Sequence, residues 1–391
     1  MNKVICLALL LSTATGSLAQ ELSEDAAISV ITCGPHHEVS FLCFGHSAFR
    51  VRDPRAGIDY AFNYGIFDFD RPGFVLNFAL GNNIYLLGVQ EFQHFKHSYI
   101  EDNRYVHEQI LNLTTEQKEK LFDYLKWNAA PENREYLYDY FYDNCATKIR
   151  DVVVKTLGDE VTFDGSYVTT DYTIRQLTDI YLEPFPWLDL GIDICLGLPM
   201  DKKASPYEYM FLPDYIESGF DHATVRNDTA TVPIVLEKNI IYEERPQESG
   251  TSFTHPLFAF CFLLLIALVI SVKDFYTKKL SNWFDIILFG SAGIIGVLLL
   301  LLWFLTDHKA AANNFNLLWA LPTHVIALVA FARAKRWLIN YFLAIFLLEG
   351  LVLLFWWALP QQLNIFLVPL VITLLLRALL QYALRKQAAL Q

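Results

Sequence analysis

The sequence predicts an α+β domain of about 230 residues, followed by an all-α membrane domain with five helices. Two observations predict this division. Residues 20–250 mix strand-like alternation with capped helices and carry nearly all of the acidic charge. Residues 251–391 are dominated by Leu, Phe, Ile, Val and Trp, in runs close to the length that crosses a bilayer. A soluble domain of the predicted size can bury a core of its own.

The first 19 residues predict a secretory signal peptide. Lys3 gives a positive start, residues 4–11 form an apolar stretch, and Ser17-Leu-Ala19 offers a small-x-small cleavage site. The apolar stretch is short and small polar residues follow it, which favours a cleaved signal over a membrane anchor. We therefore expect the mature domain to begin near Gln20 and to be exported.

The charge balance argues against nucleic acid as a partner. The formal net charge is −12, and the soluble part is acidic. Phosphate backbones are bound by clustered Lys and Arg, and such clusters do not occur there.

The cysteines indicate neither a disulfide scaffold nor a metal site. Four are scattered through the mature soluble part, at Cys33, Cys43, Cys145 and Cys195, and Cys261 falls in the membrane part. Cys33 and Cys43 could pair in an exported domain, but nothing in the sequence demands it. No pair has C-x-x-C spacing, and the histidines cluster only as an adjacent pair at 36–37. We expect no metal and no cofactor.

A hairpin is predicted after the first cysteines. Residues 44–53 and 58–65 alternate like strands, and the intervening Asp53-Pro-Arg-Ala-Gly57 is typical of a turn. The hairpin brings His46, at the start of one strand, beside Asn63, near the end of the next. A lone histidine on a strand is more often structural, so this pair becomes a candidate site only with a partner.

Residues 66–110 are rich in aromatic side chains. We predict a short helix around 74–80 and strands around 84–89 and 104–112, and then a helix from the capping box Thr114 to Gln117 as far as about Asn128. Such aromatics usually form a core, and in a domain tethered to a bilayer they can also line an acyl groove. They are Phe67, Phe69, Phe74, Phe78, Tyr85, Phe92, Phe95 and Tyr99.

A second candidate site is the segment around Cys145. The stretch 144–158 predicts a helix with Asn144 at the N-cap, Cys145 in the first turn, apolar positions at helical spacing and Gly158 as the stop. The positive end of the helix dipole lowers the pKa of a thiol placed there and favours the thiolate. A buried structural cysteine is the alternative for Cys145 taken alone.

Five membrane spans are predicted, at about 256–272, 285–305, 317–332, 338–359 and 363–381. Lys and Arg concentrate in the first loop, the third loop and the tail, which the positive-inside rule assigns to the cytoplasm. The second and fourth loops then lie outside, with the soluble domain, and the C-terminus is cytoplasmic. The signal peptide independently predicts the same orientation.

Two polar features of the membrane part are candidates for function. Glu349 falls in the middle of the fourth span, where an ionisable group is costly and is either functional or paired between helices. The second loop carries Asp307, His308, Asn314 and Asn316 on the side of the soluble domain. These four could bind a lipid head group or dock that domain, and an ordinary polar loop is the alternative.

The order of these motifs resembles the circularly permuted NlpC/P60 (papain-like) superfamily, in which the histidine precedes the cysteine. The match is closer to the Bacteroides-type lipoprotein N-acyltransferase (Lnb) family. The segments that carry it are Thr32-Cys-Gly-Pro35, Phe44-Gly-His-Ser-Ala-Phe-Arg-Val51, Phe62-Asn-Tyr-Gly-Ile-Phe-Asp-Phe69, Phe141-Tyr-Asp-Asn-Cys-Ala-Thr-Lys-Ile-Arg-Asp151, Met210-Phe-Leu-Pro-Asp-Tyr215, Asp307-His308 and Asn314-Phe-Asn-Leu-Leu-Trp319. Pro35-His-His-Glu38 departs from the expected Pro-Gly.

The resemblance implies a cysteine-dependent acyltransferase of the bacterial inner membrane. Cys145 would be the nucleophile, His46 the base and Asn63 the residue that orients it, with Asp68 and Tyr64 as weaker choices for the third role. The acyl donor would be a phospholipid and the acceptor a lipoprotein. We assign substrate contacts to Asn144, Tyr64, Asp307, His308 and Asn314.

Two alternatives remain open at this stage. One is a membrane-anchored cysteine peptidase or amidase of the cell envelope, which needs the same Cys–His pair but at most one membrane anchor. The other is a non-catalytic membrane receptor that keeps the fold around an inert cysteine. A hydrogen-bonding contact between Cys145 and His46 on the membrane side would favour the enzymes.

Overall fold

The computed structural model describes residues 21–39, 42–68, 70–228, 230–246, 255–331 and 336–390. These residues form an α+β domain and a bundle of apolar helices. The predicted signal peptide, residues 1–19, lies outside the described residues. So do residues 247–252, the second half of a polar stretch that joins the two parts.

The described residues contain ten strands and thirteen α-helices. The strands are β1 (Ala27–Cys33), β2 (His46–Asp53), β3 (Ile58–Ile66), β4 (Ile84–Glu91), β5 (Val106–Leu111), β6 (Glu135–Leu137), β7 (Val161–Phe163), β8 (Ala223–Arg226), β9 (Thr231–Pro233) and β10 (Val235–Tyr242). The helices of the soluble part are α1 (Phe74–Leu80), α2 (Phe92–Glu101), α3 (Thr115–Ala129), α4 (Cys145–Leu157), α5 (Ile174–Leu182), α6 (Pro186–Cys195), α7 (Pro206–Tyr209) and α8 (Pro213–Asp221). Those of the apolar bundle are α9 (Pro256–Thr277), α10 (Asn282–Leu305), α11 (Thr323–Phe331), α12 (Trp337–Leu354) and α13 (Val368–Leu390).

A seven-stranded antiparallel sheet organises the soluble part, in the order β10-β5-β1-β2-β3-β4-β6. Both faces of its centre are covered. Phe49 and Val51 pack into the main core with α3 and α4, whereas Ala48 faces a smaller cluster formed with Phe92 and Phe95 of α2. Burial on both faces explains why every residue of β1 except Ala27 is buried, and why Ala48 and Phe49 of β2 are both buried although they face opposite sides.

Several local predictions are confirmed. The hairpin β2–β3 forms with Asp53 opposite Ile58, the helix at 74–80 is present, and Thr114 and Gln117 make the reciprocal capping-box contacts. Helix α2 is not among the predicted elements. Its Phe92, Phe95 and Tyr99 follow the three- and four-residue spacing of one helical face.

The soluble part is joined to the apolar bundle by α6. Leu190 of α6 belongs to the core of the bundle, and the Gly197 N–H donates to the carbonyl of Ala310 over 2.7 Å. Arg175 of α5 is fully buried beneath this joint, where it donates to Asp193 over 2.6 Å and to Asp201 over 3.1 Å. The loops at 306–316 and 360–364 therefore lie on the side of the soluble domain, as the charge pattern predicts.

Four of the predicted spans correspond to long apolar helices, at Pro256–Thr277, Asn282–Leu305, Trp337–Leu354 and Ile365–Leu390. The predicted span at 317–332 differs. It begins as a 3₁₀ turn at Phe315–Leu318 and continues as the nine-residue α11, after which residues 332–335 are not described. Nine helical residues rise only about 14 Å, roughly half of the hydrocarbon core. The fifth crossing therefore stays a prediction.

Buried ionisable groups mark two levels of the bundle. Arg377 of α13 is fully buried and donates to Asp274 over 2.9 Å and to Asp285 over 2.6 Å, beside the α9–α10 turn. These contacts tie the middle of α13 to the α9–α10 turn. Glu349 of α12 is fully buried, and neither of its carboxylate oxygens has a hydrogen-bond partner. Of the two alternatives left open for Glu349, a pair between helices is therefore not seen among the described residues.

Candidate active site

The hairpin brings His46 and Asn63 into direct contact. His46 Nε2 lies 2.5 Å from Asn63 Oδ1, so the ring donates to the amide oxygen. This contact fixes the ring and leaves Nδ1 as the nitrogen available to a second partner. The pairing of β3 with β2 begins at Phe49 and Phe62 and runs to the turn of the hairpin, so it does not include residues 46–48 of β2. The start of β2 is therefore open to another element on that side.

That element is the N-terminus of α4, which begins at Cys145. Asn144 caps the helix, and its Oδ1 accepts the N–H groups of Ala146 and Thr147, both over 2.9 Å. The cap confirms the sequence prediction. The Cys145 N–H is the first amide of the helix and has no acceptor within it. Cys145 as a whole residue is half-buried.

A bend in β3 makes room for the thiol. The pairing of β3 with β4 shifts between Asn63 and Ile66, and Gly65 adopts a φ of +90°, which favours glycine. A Cβ at Gly65 would lie 3.5 Å from the Cβ of Cys145 and 4.0 Å from Cε1 of His46. The strand therefore runs directly beside both groups, and the ring of Tyr138 borders the same position at 3.9 Å.

The electrostatics favour an ion pair between Cys145 and His46. Burial alone would raise the pKa of the Cys145 thiol, but the His46 charge, its hydrogen bond and the N–H groups of Ser47 and Ala146 together lower it. Burial would also lower the pKa of His46, but the Cys145 charge and the hydrogen bonds that His46 makes with Cys145 and Asn63 raise it. The lowered pKa of the thiol and the raised pKa of the imidazole both increase the population in which Cys145 is a thiolate and His46 an imidazolium.

Helix α2 supplies aromatic support that the sequence analysis missed. Tyr99 stacks on His46 with ring centroids 6.1 Å apart and planes 18° from parallel, and Phe95 lies 6.3 Å away. Arg104 holds its guanidinium 4.5 Å from the Tyr99 ring and donates to the carbonyl of Gly34 over 2.7 Å. The helical spacing of Phe95 and Tyr99 is the signal that could have identified this support.

Two of the residues that we predicted to contact the substrate have structural roles instead. Asn144 is buried, and its side-chain nitrogen donates to the carbonyls of Tyr140 and Phe211 while its oxygen caps α4. Tyr64 is fully buried in the main core and donates its hydroxyl to Asn128 over 2.6 Å. Neighbouring strand residues face opposite sides of a sheet, so Tyr64 turns away from the side on which Asn63 meets His46.

The three predicted contacts in the second membrane loop take part in docking. Asn314 is buried and donates to the carbonyls of Ile194 and Cys195 at the end of α6. His308 donates from Nε2 to the carbonyl of Phe78 over 3.1 Å. The Asp307 N–H donates to the carbonyl of Leu80 over 2.8 Å, while its side chain is exposed. Docking was one of the alternatives open for this loop.

Near the joint with the bundle, the described residues contain a trio of carboxylates close enough to hold a metal ion. Oxygens of Asp179, Asp189 and Asp193 lie within 4.8 Å of one another, beside a cavity of about 730 Å³. Burial, with the neighbouring carboxylates, raises the pKa of Asp179 to about 8 and that of Asp189 to about 6. Asn364 donates to Asp189 and to Asp193, both over 2.9 Å, and Arg175 neutralises Asp193. These contacts make Asp189 and Asp193 part of the joint.

The two cysteines that could have paired are both free. Cys33 is fully buried opposite His46 in the sheet, and burial raises the pKa of its thiol well above the ordinary value. Burial likewise raises the pKa of Cys43 to about 12. Both therefore stay protonated at neutral pH, in contrast to Cys145.

Fold and site together define a membrane-anchored α+β protein with a cysteine, a histidine and an asparagine gathered at a helix N-terminus. Residues 19–179 match the family model described as the Lnb N-terminal periplasmic domain, and residues 247–388 match the one described as the Lnb transmembrane domain. The chain belongs to the Lnb family. Comparisons with curated proteins and with solved structures found no match.

The ion pair makes a prediction about thiol reactivity. Alkylation of Cys145 by iodoacetamide, followed against pH by peptide mass spectrometry, should continue below the pH at which an ordinary thiol is protonated. It should fall only as the pH drops through the lowered pKa of Cys145. His46→Ala removes the imidazolium and leaves burial to raise that pKa, so the rate at pH 7 should drop about tenfold for each unit of the rise.

The control for this experiment is His94→Ala, because the His94 side chain is 78% exposed on α2. It should leave the pH profile of Cys145 unchanged. Identical profiles for His46→Ala and the intact protein would show that the two groups do not interact electrostatically.

Proposed function

We propose that the protein is a lipoprotein N-acyltransferase that carries an acyl group on Cys145. The observation that carries the proposal is the pairing of the Cys145 thiol with His46 in a domain whose loops are fastened to the ends of membrane helices. Family membership supports it, since it is compatible with a lipoprotein-modifying membrane protein. The acyl donor would be a phospholipid, and the acceptor the α-amine of the lipid-modified N-terminal cysteine of a lipoprotein.

In the first half-reaction the Cys145 thiolate attacks an ester carbonyl of the phospholipid. As the tetrahedral intermediate collapses, the ester C–O bond breaks and the imidazolium of His46 gives its proton to the departing alkoxide. The products are a thioester on Sγ and a lysophospholipid, with His46 left neutral. The lowered pKa of Cys145 and the raised pKa of His46 suit this starting state.

In the second half-reaction the neutral amine of the lipoprotein attacks the thioester. The C–S bond breaks, the amine proton passes to His46, and the thiolate–imidazolium pair is restored together with the new amide. A thioester is a suitable intermediate because amines attack it readily.

The oxyanion of both intermediates would be stabilised by the backbone. Asn144 already accepts the N–H groups of Ala146 and Thr147, so the Cys145 N–H is the first amide of α4 that remains for a ligand. The positive end of the helix dipole acts on the same position. No side chain other than those of Cys145 and His46 takes part in the bond changes.

The proposed setting is the bacterial inner membrane, with the soluble domain in the periplasm. The family model matched by residues 19–179 carries a periplasmic description, which supports this side for the soluble domain. Loops 306–316 and 360–364 contact that domain, and α13 runs from there to the α9–α10 turn. The C-terminus is then cytoplasmic. We further propose that the soluble domain is a permuted papain-like domain, since His46 precedes Cys145 in the chain.

The test is expression in a strain that lacks its own lipoprotein N-acylation, with lipoprotein N-termini identified by mass spectrometry. The intact protein should restore N-acylated termini, and Cys145→Ser should restore none. Cys195→Ser is the matched control, because Cys195 lies in α6 at the joint rather than in the site, and it should behave like the intact protein.

Two results would contradict the proposal in different ways. Free N-termini with the intact, membrane-inserted protein would exclude the transferase, and shortened peptidoglycan peptides in the same cells would instead favour the peptidase or amidase alternative. Normal N-acylation with Cys145→Ser would exclude Cys145 as the nucleophile.

Asn63 makes a separate prediction about ring orientation. Asn63→Ala removes the acceptor for His46 Nε2, and loss of a hydrogen bond to a charged group corresponds to a rate about 10- to 100-fold lower. Asn63→Asp keeps an acceptor oxygen and should recover part of this rate. The limb of the pH–rate profile that reports the protonation of His46 should move to higher pH in this variant. Initial rates of acyl transfer in vesicles measure both effects. A wild-type rate for Asn63→Ala would remove Asn63 from the mechanism.

A further inference from the structure

Helix α1 exposes an unusually apolar surface for a soluble domain. Val75 is 79% exposed, Leu76 63% and Phe78 53%, and the helix contains no buried residue. Its sequence, FVLNFAL, carries no charged side chain, and Asn77 is its one strongly polar residue. Three large apolar side chains side by side in water are unfavourable, so this face requires an apolar environment.

The position of α1 identifies that environment. The membrane helix α10 ends at Leu305, and Asp307, two residues later, donates its N–H to the carbonyl of Leu80 at the end of α1. His308 donates to the carbonyl of Phe78. Two residues span at most about 7 Å, so α1 lies at the level where α10 leaves the bilayer.

The contact between α1 and this loop depends on a glycine. Gly81 ends α1 with a φ of +81°, and a Cβ there would lie 3.1 Å from the carbonyl carbon of Asp307 and from the nitrogen of His308. A side chain at this position would force the two backbones apart. The fold therefore brings the end of α1 against the end of a membrane helix at backbone distance.

A series of aromatic rings leads from α1 towards the thiol. Phe74 of α1 stacks with Phe67 at 6.0 Å, Phe67 meets Tyr85 at 5.2 Å, and Tyr85 stacks with Tyr138 at 4.2 Å. Tyr138 borders Gly65, which lies against Cys145. All four residues are partly rather than fully buried.

We infer that α1 enters the lipid leaflet on the side of the soluble domain, and that the ring series guides one acyl chain of a phospholipid from that leaflet to Cys145. The occupant of the apolar face is lipid rather than protein because the face is continuous with the end of α10, where Phe304 and Leu305 are each 66% exposed. The part that concerns Cys145 rests on the proposed function. The membrane position of α1 does not.

Lipid contact can be tested on the unmodified chain. The full-length protein is placed in nanodiscs of phosphatidylethanolamine and phosphatidylglycerol that contain a phospholipid with a diazirine in one acyl chain, irradiated and digested. Lipid adducts should appear on α1, and with a donor labelled near the chain end also on Phe67 or Tyr85. The internal reference is Leu236 of β10, which is 64% exposed near the other end of the sheet from His46 and should carry none.

The route to the thiol is tested with a matched pair of variants. Leu76→Asp and Leu236→Asp place the same charge at two leucines of nearly equal exposure. Leu76→Asp should reduce acylation of Cys145 from bilayer phospholipid at least tenfold, while acylation by a water-soluble short-chain thioester stays at the wild-type rate. Leu236→Asp should match the wild type with both donors.

Each of the other possible outcomes contradicts one part of this inference. Adducts on α9–α13 without any on α1 would overturn its membrane position. Equal acylation of Leu76→Asp and wild type from the bilayer donor would overturn the acyl route. Adducts on α1 without acylation of Cys145 by either donor would leave the membrane position standing and contradict the proposed function instead.

Discussion

The site depends on one packing constraint, the fit of the α4 N-terminus against the open start of β2. Strand β3 does not pair with residues 46–48 of β2. The first turn of α4, which Asn144 caps, packs against this unpaired edge. Because α4 buries Ile149 and Val153 in the main core, its N-terminus cannot shift without disturbing that core. Cys145 is thereby held beside His46 and Gly65, and the shifted pKa values of thiol and imidazole follow from this proximity.

The second organising feature is the joint between the soluble domain and the helical bundle. Arg175 is buried there among carboxylates and backbone carbonyls, and Asn314 reaches across from the second membrane loop to the end of α6. A buried arginine that lost its partners would be strongly unfavourable, which opposes separation of the two parts. Together with the α1 contacts, the joint fixes the height of Cys145 above the bilayer, as a reaction between two membrane-bound substrates would require.

The sequence predicts those features that local signals encode. The turn at residues 53–57 gives the hairpin with His46 and Asn63, and the cap at Asn144 gives the start of α4 with Cys145. The family resemblance then joined the three residues in one proposed site. Strict strand alternation would also have placed the side chains of Asn63 and Tyr64 on opposite faces of the sheet. The rest is decided by contacts between residues far apart in the chain. Tyr99 contacts His46 only because the folded sheet brings α2 beside β2. The side chain of Asn314 is hydrogen-bonded to a helix more than a hundred residues earlier in the chain. Helical spacing places Phe95 and Tyr99 on one face of α2, but it does not say which strand that face packs against.

The most direct test of the central claim is the intact mass of the protein after brief incubation with vesicles of one defined phosphatidylethanolamine and quenching in acid. We predict a mass increase equal to one acyl chain of that lipid. The adduct should map to Cys145, be released by neutral hydroxylamine as thioesters are, and disappear when an amine acceptor is added. Transfer of the chain to the acceptor with Cys145 never modified, or an adduct on another residue, would contradict a mechanism through a Cys145 thioester.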